Sequence, residues 1–307
     1  MDEVIRTENL VKYYGKVRAV DGISLSVHQG ETYGFLGLNG AGKTTTIRLL
    51  LGMVRPTLGS AYLNGVKVHA GQHELWQHVG YLVEIPYSYP DLTVTENLEI
   101  ARKLRLISDQ HAVASIIEKL KLGPYRNRLA KNLSQGNAQR LGIAKALIHN
   151  PDILLLDEPA NELDPAGVVE IRELLRDLAL NHGATVFISS HILGEIARFA
   201  TRIGIIHEGK LVQEADFEQL EKARHRSLVV HTREIDQAKS ILTANGYQNI
   251  VAEQTYLKIS DPPAILNPEK VNILLVEAGF PPTMLKVEEE DLESYFLRVI
   301  GMNGGVA

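Results

Sequence analysis

A chain of 307 residues with 45% apolar content can bury one large core or two ordinary ones, and its formal net charge of −5 argues against a nucleic-acid surface as its main role. It has no cysteine, which excludes disulfide frameworks and thiol catalysis and fits a cytoplasmic setting. The start, MDEVIRTENL, lacks the apolar core of a secretory signal, and no run approaches the ~18 apolar residues of a membrane helix, so a membrane role is expected to be peripheral or through a partner.

Val4–Leu10 and Val17–Val27 read as strands, followed by Thr32–Leu38 (TYGFLGL), which has the composition of a buried strand. Directly on it comes Gly37-Leu38-Asn39-Gly40-Ala41-Gly42-Lys43-Thr44, a complete G-x-x-x-x-G-K-[ST] phosphate loop, and Thr45–Leu51 (TTIRLLL) opens a helix. The glycines permit backbone angles that aim several N–H groups inward as an anion nest, and the helix adds its positive end. Lys43 supplies a mobile point charge for the β- and γ-phosphates, and the Thr44 hydroxyl suits Mg²⁺. A Gly-rich turn with a chance lysine would lack the flanking strand and helix.

Ser60–His69 holds two short strands around the Asn64-Gly65 turn, and Val79–Glu84 is another strand. A largely helical block runs from Thr95 to about Leu122 and stops at Gly123-Pro124; a helix over Ser134–His149 stops at Asn150-Pro151. In LSQGNAQR, Ser134 occupies the N-cap with Gly136 two residues on. That helix start can offer a hydroxyl and N–H groups to a phosphate, as many ordinary capped helices could. Ile153–Leu156 is an apolar run that pushes Asp157 and Glu158 to the exposed end of a strand, where ligands bind in α/β sheets. Asp157 suits Mg²⁺ through water, and Glu158 suits orienting and deprotonating a hydrolytic water; a lone acidic pair there is commonly just solvated. The segment NELD, residues 161–164, follows, and Val168, Ile171, Leu174, Leu175 and Leu178 mark a helix face. Thr185–Ser189 is a second buried strand, leading to Ser190 and His191. A lone histidine usually serves a core or a helix start, but this one ends a neighbouring strand within reach of a γ-phosphate. A helix follows from Ile192. Strands and helices alternating around a phosphate loop give an α/β domain with a mostly parallel central sheet.

The texture changes at the charged stretch Glu221–Arg226. Beyond it the pattern is strand (Ser227–His231), helix (Glu234–Asn245), strand (Asn249–Ile259), helix (Pro268–Ala278), strand (Met284–Val287) and helix (Leu292–Ile300). This suits a small α+β domain of ferredoxin-like order. The Gly301–Ala307 tail reads as frayed. The expected domains are therefore residues 1–222 and 223–307.

Together the motifs resemble the ATP-binding subunit of an ABC transporter over about residues 3–220. GLNGAGKTT is similar to that family's Walker A, ILLLDE to its Walker B, LSQGN to its signature, NELD (with Asp164) to its D-loop, and His191 to its switch histidine. Tyr14, in KYYGKVRAV, is similar to the aromatic that stacks on adenine. The resemblance implies a P-loop NTPase with an N-terminal antiparallel β subdomain and a helical subdomain over about residues 88–150. It implies ATP and Mg²⁺ as cofactors, with Lys43, Glu158 and His191 catalytic and Thr44 and Asp157 at the metal. It also implies a dimer with a second copy or a homologous ATPase subunit. Each ATP would lie between one chain's Walker A and the other's Ser134 and Gly136.

Two positions depart from the family pattern. The signature reads LSQGN in place of LSGGQ, and the strand end that usually carries a glutamine has Glu84. The expectation for Glu84 is that it faces Mg²⁺ and the γ-phosphate, against an alternative in which it pairs with a basic residue or points to solvent. DLESYFLRVIG, residues 291–301, resembles the ending of the branch that exports drugs, antimicrobial peptides, lipids or polysaccharides, as against a generic α+β appendage. The reading is a peripheral ATPase on the inner face of the membrane. It would drive separate transmembrane permease subunits that dock near Pro86–Pro90, with no nucleic acid expected. Two alternatives stand beside it. A soluble ABC-type ATPase acting on nucleic acid or ribosomes usually carries two ATPase domains or a metal cluster, and this chain has one phosphate loop and no cysteine. A regulatory module that scarcely hydrolyses ATP would not need Asp157, Glu158 and His191 together.

Overall fold

The computed structural model describes residues 2–301 apart from 70, 73 and 198, so the tail beyond Gly301 lies outside the described residues. The chain forms two compact units, Met1–Phe217 and Glu218–Ala307.

In the first unit, β1 (Glu3–Tyr14) turns at Gly15 into β2 (Val17–His28), antiparallel with Tyr14 opposite Val17. β3 (Thr32–Leu36) leads through the phosphate loop into α1 (Lys43–Leu50). β4 (Leu58–Leu63) and β5 (Val66–Lys67) form a hairpin, and its Asn64 and Gly65 have φ of 48° and 73°. A two-residue type I′ turn needs both angles positive, which is why Asn-Gly marks it. These strands make an antiparallel sheet in the order β2-β1-β4-β5.

After β6 (Val79–Leu82), the largely helical block consists of two helices, α2 (Val94–Leu104) and α3 (Ala112–Lys119). Thr93 and Glu96 start the first with a reciprocal capping box. Between them the polar Ser108-Asp109-Gln110 favours a turn, and Asp109 Oδ1 accepts the His111 N–H at 2.8 Å. Then come α4 (Gln135–Leu147), β7 (Ile153–Asp157), α5 (Pro165–His182), β8 (Thr185–Ser190) and the short α6 (Leu193–Ile196). β9 (Arg202–His207) and β10 (Lys210–Asp216) form a hairpin at Glu208-Gly209 that the sequence reading passed over.

The central sheet runs β10-β9-β3-β8-β7-β6, and only its β9–β10 edge pair is antiparallel. Every residue of β3 and β7 is buried, as expected for strands covered on both faces. The register places Leu36 opposite Ser190, Asp157 opposite Ser189 and Leu82 opposite Leu156. The carboxyl ends of β3, β8, β7 and β6 therefore share one sheet edge, and every candidate catalytic group leaves from it.

In the second unit, helix α7 (Phe217–Ala223) precedes β11 (Arg226–His231), α8 (Ile235–Ala244), β12 (Ile250–Ala252) and β13 (Tyr256–Ile259). Next are α9 (Pro262–Leu266), α10 (Pro268–Glu277), β14 (Met284–Glu289) and α11 (Leu292–Val299). The antiparallel sheet order β12-β13-β11-β14 is the split βαβ order of ferredoxin-like domains. The single strand expected over Asn249–Ile259 is a hairpin, closed by Glu253 N–H on Tyr256 O at 2.9 Å. Leu228, Val230, Ala238, Leu242, Leu257, Val271 and Leu275 form the core of this unit.

Candidate nucleotide site

Gly42 is the N-cap of α1, with φ of 111° and no side-chain cap. The first N–H groups of the helix are therefore left for an anion. A Cβ at Gly42 would stand 2.3 Å from the Ala19 carbonyl oxygen, and one at Gly37 would stand 2.6 Å from that of Ile206. Both positions require glycine because other backbone packs onto them. Ala41 N–H closes the loop onto Leu38 O at 3.1 Å, Gly40 turns at φ 82°, Asn39 is exposed, and Thr45 lies in the first turn of α1.

Lys43 is 5% exposed. Its ammonium donates to Gly37 O at 2.7 Å and Leu38 O at 3.2 Å, and lies 3.1 Å from Glu158 Oε1. The other Glu158 oxygen, Oε2, is 2.6 Å from His191 Nδ1. A carboxylate only accepts, so Nδ1 carries the hydrogen in this pairing. Glu158 has φ of 50°, an uncommon angle for a residue with a Cβ. Next to it, Thr44 Oγ1 donates to Asp157 Oδ2 at 2.7 Å and Ser189 Oγ donates to Asp157 Oδ1 at 2.6 Å. Ser189 Oγ in turn accepts the Glu158 N–H at 3.0 Å. Asn39, Thr44, Glu84, Gln139, Asp157, Glu158 and His191 line one cavity of about 450 Å³.

The Thr44 hydroxyl and Asp157 carboxylate are hard oxygen donors and fit Mg²⁺. Among the described residues no group of three His, Cys, Asp or Glu side chains converges as a metal cage. An ion held by one or two protein oxygens together with phosphates needs no such cage.

The remaining candidates are placed differently. Glu84 lies on the cavity rim with φ of 54°, and its carboxylate is paired with Arg48 at 2.7 Å. Ser134 caps α4, accepting the Asn137 N–H at 3.3 Å, and a Cβ at Gly136 would stand 3.0 Å from Glu162 O. Asp164 caps α5 through the Gly167 N–H at 2.9 Å. Tyr14 is 45% exposed, with the Lys12 ammonium 5.1 Å from its ring centre. Tyr14, Ser134, Gly136 and Asp164 are not in the lining of the cavity.

Three participants were not read from the sequence. Buried Gln139 donates to the backbone oxygens of Glu158 and Pro159 at 3.3 and 3.1 Å, holding the turn after β7. Ser189 orients Asp157, and Arg48 holds Glu84. Ser189 had a signal, a polar residue ending an apolar strand just as Asp157 does. Arg48 had none, because its partner lies far along the chain.

A second cavity of about 480 Å³ includes Arg48, Glu84, Ile85, Pro86, Tyr87 and Leu104 in its lining. Ile85, Tyr87 and Leu104 are 88%, 72% and 75% exposed, an unusual amount of apolar surface around one cavity. Among the described residues no helix is long and apolar enough to cross a membrane.

Residues 20–161 match the family model described as ABC transporter. The chain is 39% identical to a bacitracin transport ATP-binding protein of Bacillus licheniformis over 98% of both chains. It is 38% identical to the protein of that name in Enterococcus faecalis, over 100% of this chain and 99% of the other. A lantibiotic transport ATP-binding protein of Streptococcus pyogenes is 34% identical over 75% of this chain and all of its own length. Among solved structures, a dimeric post-hydrolysis state of an ATP-binding cassette bound to ADP and Pi superposes with a TM-score of 0.65. That structure is 26% identical and covers 69% of this chain and 98% of its own.

Proposed function

We propose, on the premise that this chain belongs to the ABC transporter family, that it is the ATPase subunit of an exporter of a peptide antibiotic of the bacitracin class. ATP hydrolysis is the activity of this family of cassettes, and the observation that carries the site assignment is the position of Glu158. Its carboxylate lies between the Lys43 ammonium and the His191 ring at the end of a buried strand. In the working cycle Lys43 turns its charge to the β- and γ-phosphates, and the N–H groups of the loop and of the α1 start take their oxygens. Thr44 and Asp157 are the residues that would hold Mg²⁺, which neutralises charge on the transferred phosphoryl group. Glu158 accepts the proton of the attacking water, and His191 keeps its carboxylate aimed.

One phosphate loop leaves a side of the triphosphate in water. The exposed start of α4, with Ser134 and Gly136, fits that open side on a second copy or a homologous subunit. The apolar surface of Ile85, Tyr87 and Leu104 suits a permease segment at the inner face of the membrane. The peptide cargo rests on relatives whose names specify bacitracin or lantibiotic transport, two of which match through the second unit. Nothing in the comparisons supports action on nucleic acid.

The test is co-expression of the chain with a candidate transmembrane permease in a bacitracin-sensitive host. Tolerance of bacitracin should rise, and Lys43→Ala should abolish the rise. Unchanged tolerance with both proteins in the membrane fraction would remove this cargo.

A further inference from the structure

The Arg48–Glu84 pair joins two parts of the molecule. Arg48 lies on α1, one turn beyond Thr44, so the two side chains share a helix face about 6 Å apart along the axis. Glu84 follows β6, the strand paired to β7, and lines the same cavity as Thr44 and Asp157. Its carboxylate has three rotatable bonds and stands 2.7 Å from Arg48, and the oxygen pair of Thr44 and Asp157 lines the same cavity. Its backbone is held at φ 54°, against the preference of a residue with a Cβ. The side chains of Arg48 and Glu84 are 35% and 55% exposed. An ion pair that open to water is weak and exchanges readily. The same two residues also line the apolar cavity beside Ile85 and Pro86, so any segment seated there meets the pair.

We infer that Arg48 is a positioning residue that holds Glu84 off the Thr44–Asp157 oxygens, a latch setting how strongly the site depends on Mg²⁺. Released, Glu84 adds a third hard oxygen beside the metal position and a negative charge near the triphosphate. The inference rests on the nucleotide site proposed above.

The experiment titrates Mg²⁺ against binding of a trinitrophenyl-ATP probe to the full chain, with melting curves to verify folding. Arg48→Met should lower the half-saturating Mg²⁺ concentration by about threefold to fivefold, the range a half-exposed ion pair supports, and Arg48→Gln should do the same. Arg48→Lys and Glu84→Gln should each stay within about twofold of the unmodified chain. In the Glu84→Gln background, Arg48→Met should produce no further shift. Superimposable titrations for Arg48→Met and the unmodified chain would overturn the latch. A shift that persists in the Glu84→Gln background would also overturn it, because Arg48 would then act through α1. Failure of the site reading shows separately, as probe affinity that Lys43→Ala leaves unchanged.

Discussion

Glu158→Gln separates the two duties of the residue at the centre of the site. In the structure its carboxylate neutralises Lys43 at 3.1 Å, and the two side chains are 16% and 5% exposed. At an effective dielectric of ~20, that attraction is roughly 5 kcal/mol before desolvation is counted. Removing one partner of such a pair typically costs about 3–5 kcal/mol. Lys43 keeps its bonds to Gly37 O and Leu38 O, so the cost falls at or just below the lower end, about 2–3 kcal/mol. Without nucleotide, the first unit of the variant should melt about 5–10 °C lower. Mg-ATP should narrow that gap, because the phosphates give the Lys43 ammonium a new partner. Turnover should fall by about 10²–10⁴-fold, since an amide does not accept the water's proton. The assay pairs calorimetry with and without Mg-ATP and phosphate release at saturating ATP. Turnover within about tenfold of the unmodified chain would remove Glu158 as general base. Equal melting temperatures without nucleotide would show that the Lys43–Glu158 pair contributes no net stability.

Three further outcomes are expected. Ser134→Arg should leave folding and ATP binding by the monomer intact while abolishing the Mg-ATP-dependent increase in mass seen by light scattering; a normal dimer would remove Ser134 from the interface. Deleting Glu218–Ala307 should leave a folded chain that binds ATP, because Lys43, Thr44, Asp157, Glu158 and His191 all belong to the first unit; the idea fails if a folded truncation binds none. Burial, reinforced by the Arg105 charge, pushes the His149 imidazole down to about 4, with Nε2 3.2 Å from Val79 O and Nδ1 buried without a hydrogen-bond partner among the described residues. The unfolded chain takes up this proton first, so the stability from neutral His149 is complete above about pH 6.5 and is lost as pH falls towards 4. Discounted for partial exposure, the loss is about 1–2 kcal/mol. His149→Gln should flatten the urea-midpoint profile over that window, and identical pH slopes would refute the assignment.

Residues that act through local chemistry were legible in the chain by itself. A glycine at 37 and 42, a lysine at 43 and a hydroxyl at 44 are demanded by a loop of fixed length between one strand and one helix, so their spacing carries the geometry. The apolar-rich stretches of β3, β7 and β8 declare strands buried on both faces, and the polar residues that end β7 and β8 must stand at the sheet edge. The Asn64-Gly65 hairpin was readable for the same reason, since turn chemistry is local. Strand order decided the rest. Only the register of β7 against β8 brings Ser189 to Asp157 and His191 to Glu158, across 32 and 33 residues of chain. Only the packing of α1 on β7, whose neighbour in the sheet is β6, brings Arg48 to Glu84, so the carboxylate expected at the metal is held by an arginine. The β9–β10 hairpin escaped notice because the residue types of its outer strand, KLVQEAD, do not follow the alternation of its two faces at the sheet edge. A sequence names the groups a site needs wherever neighbours along the chain build it, but pairings between distant segments follow from the sheet's register, which no short stretch of chain encodes.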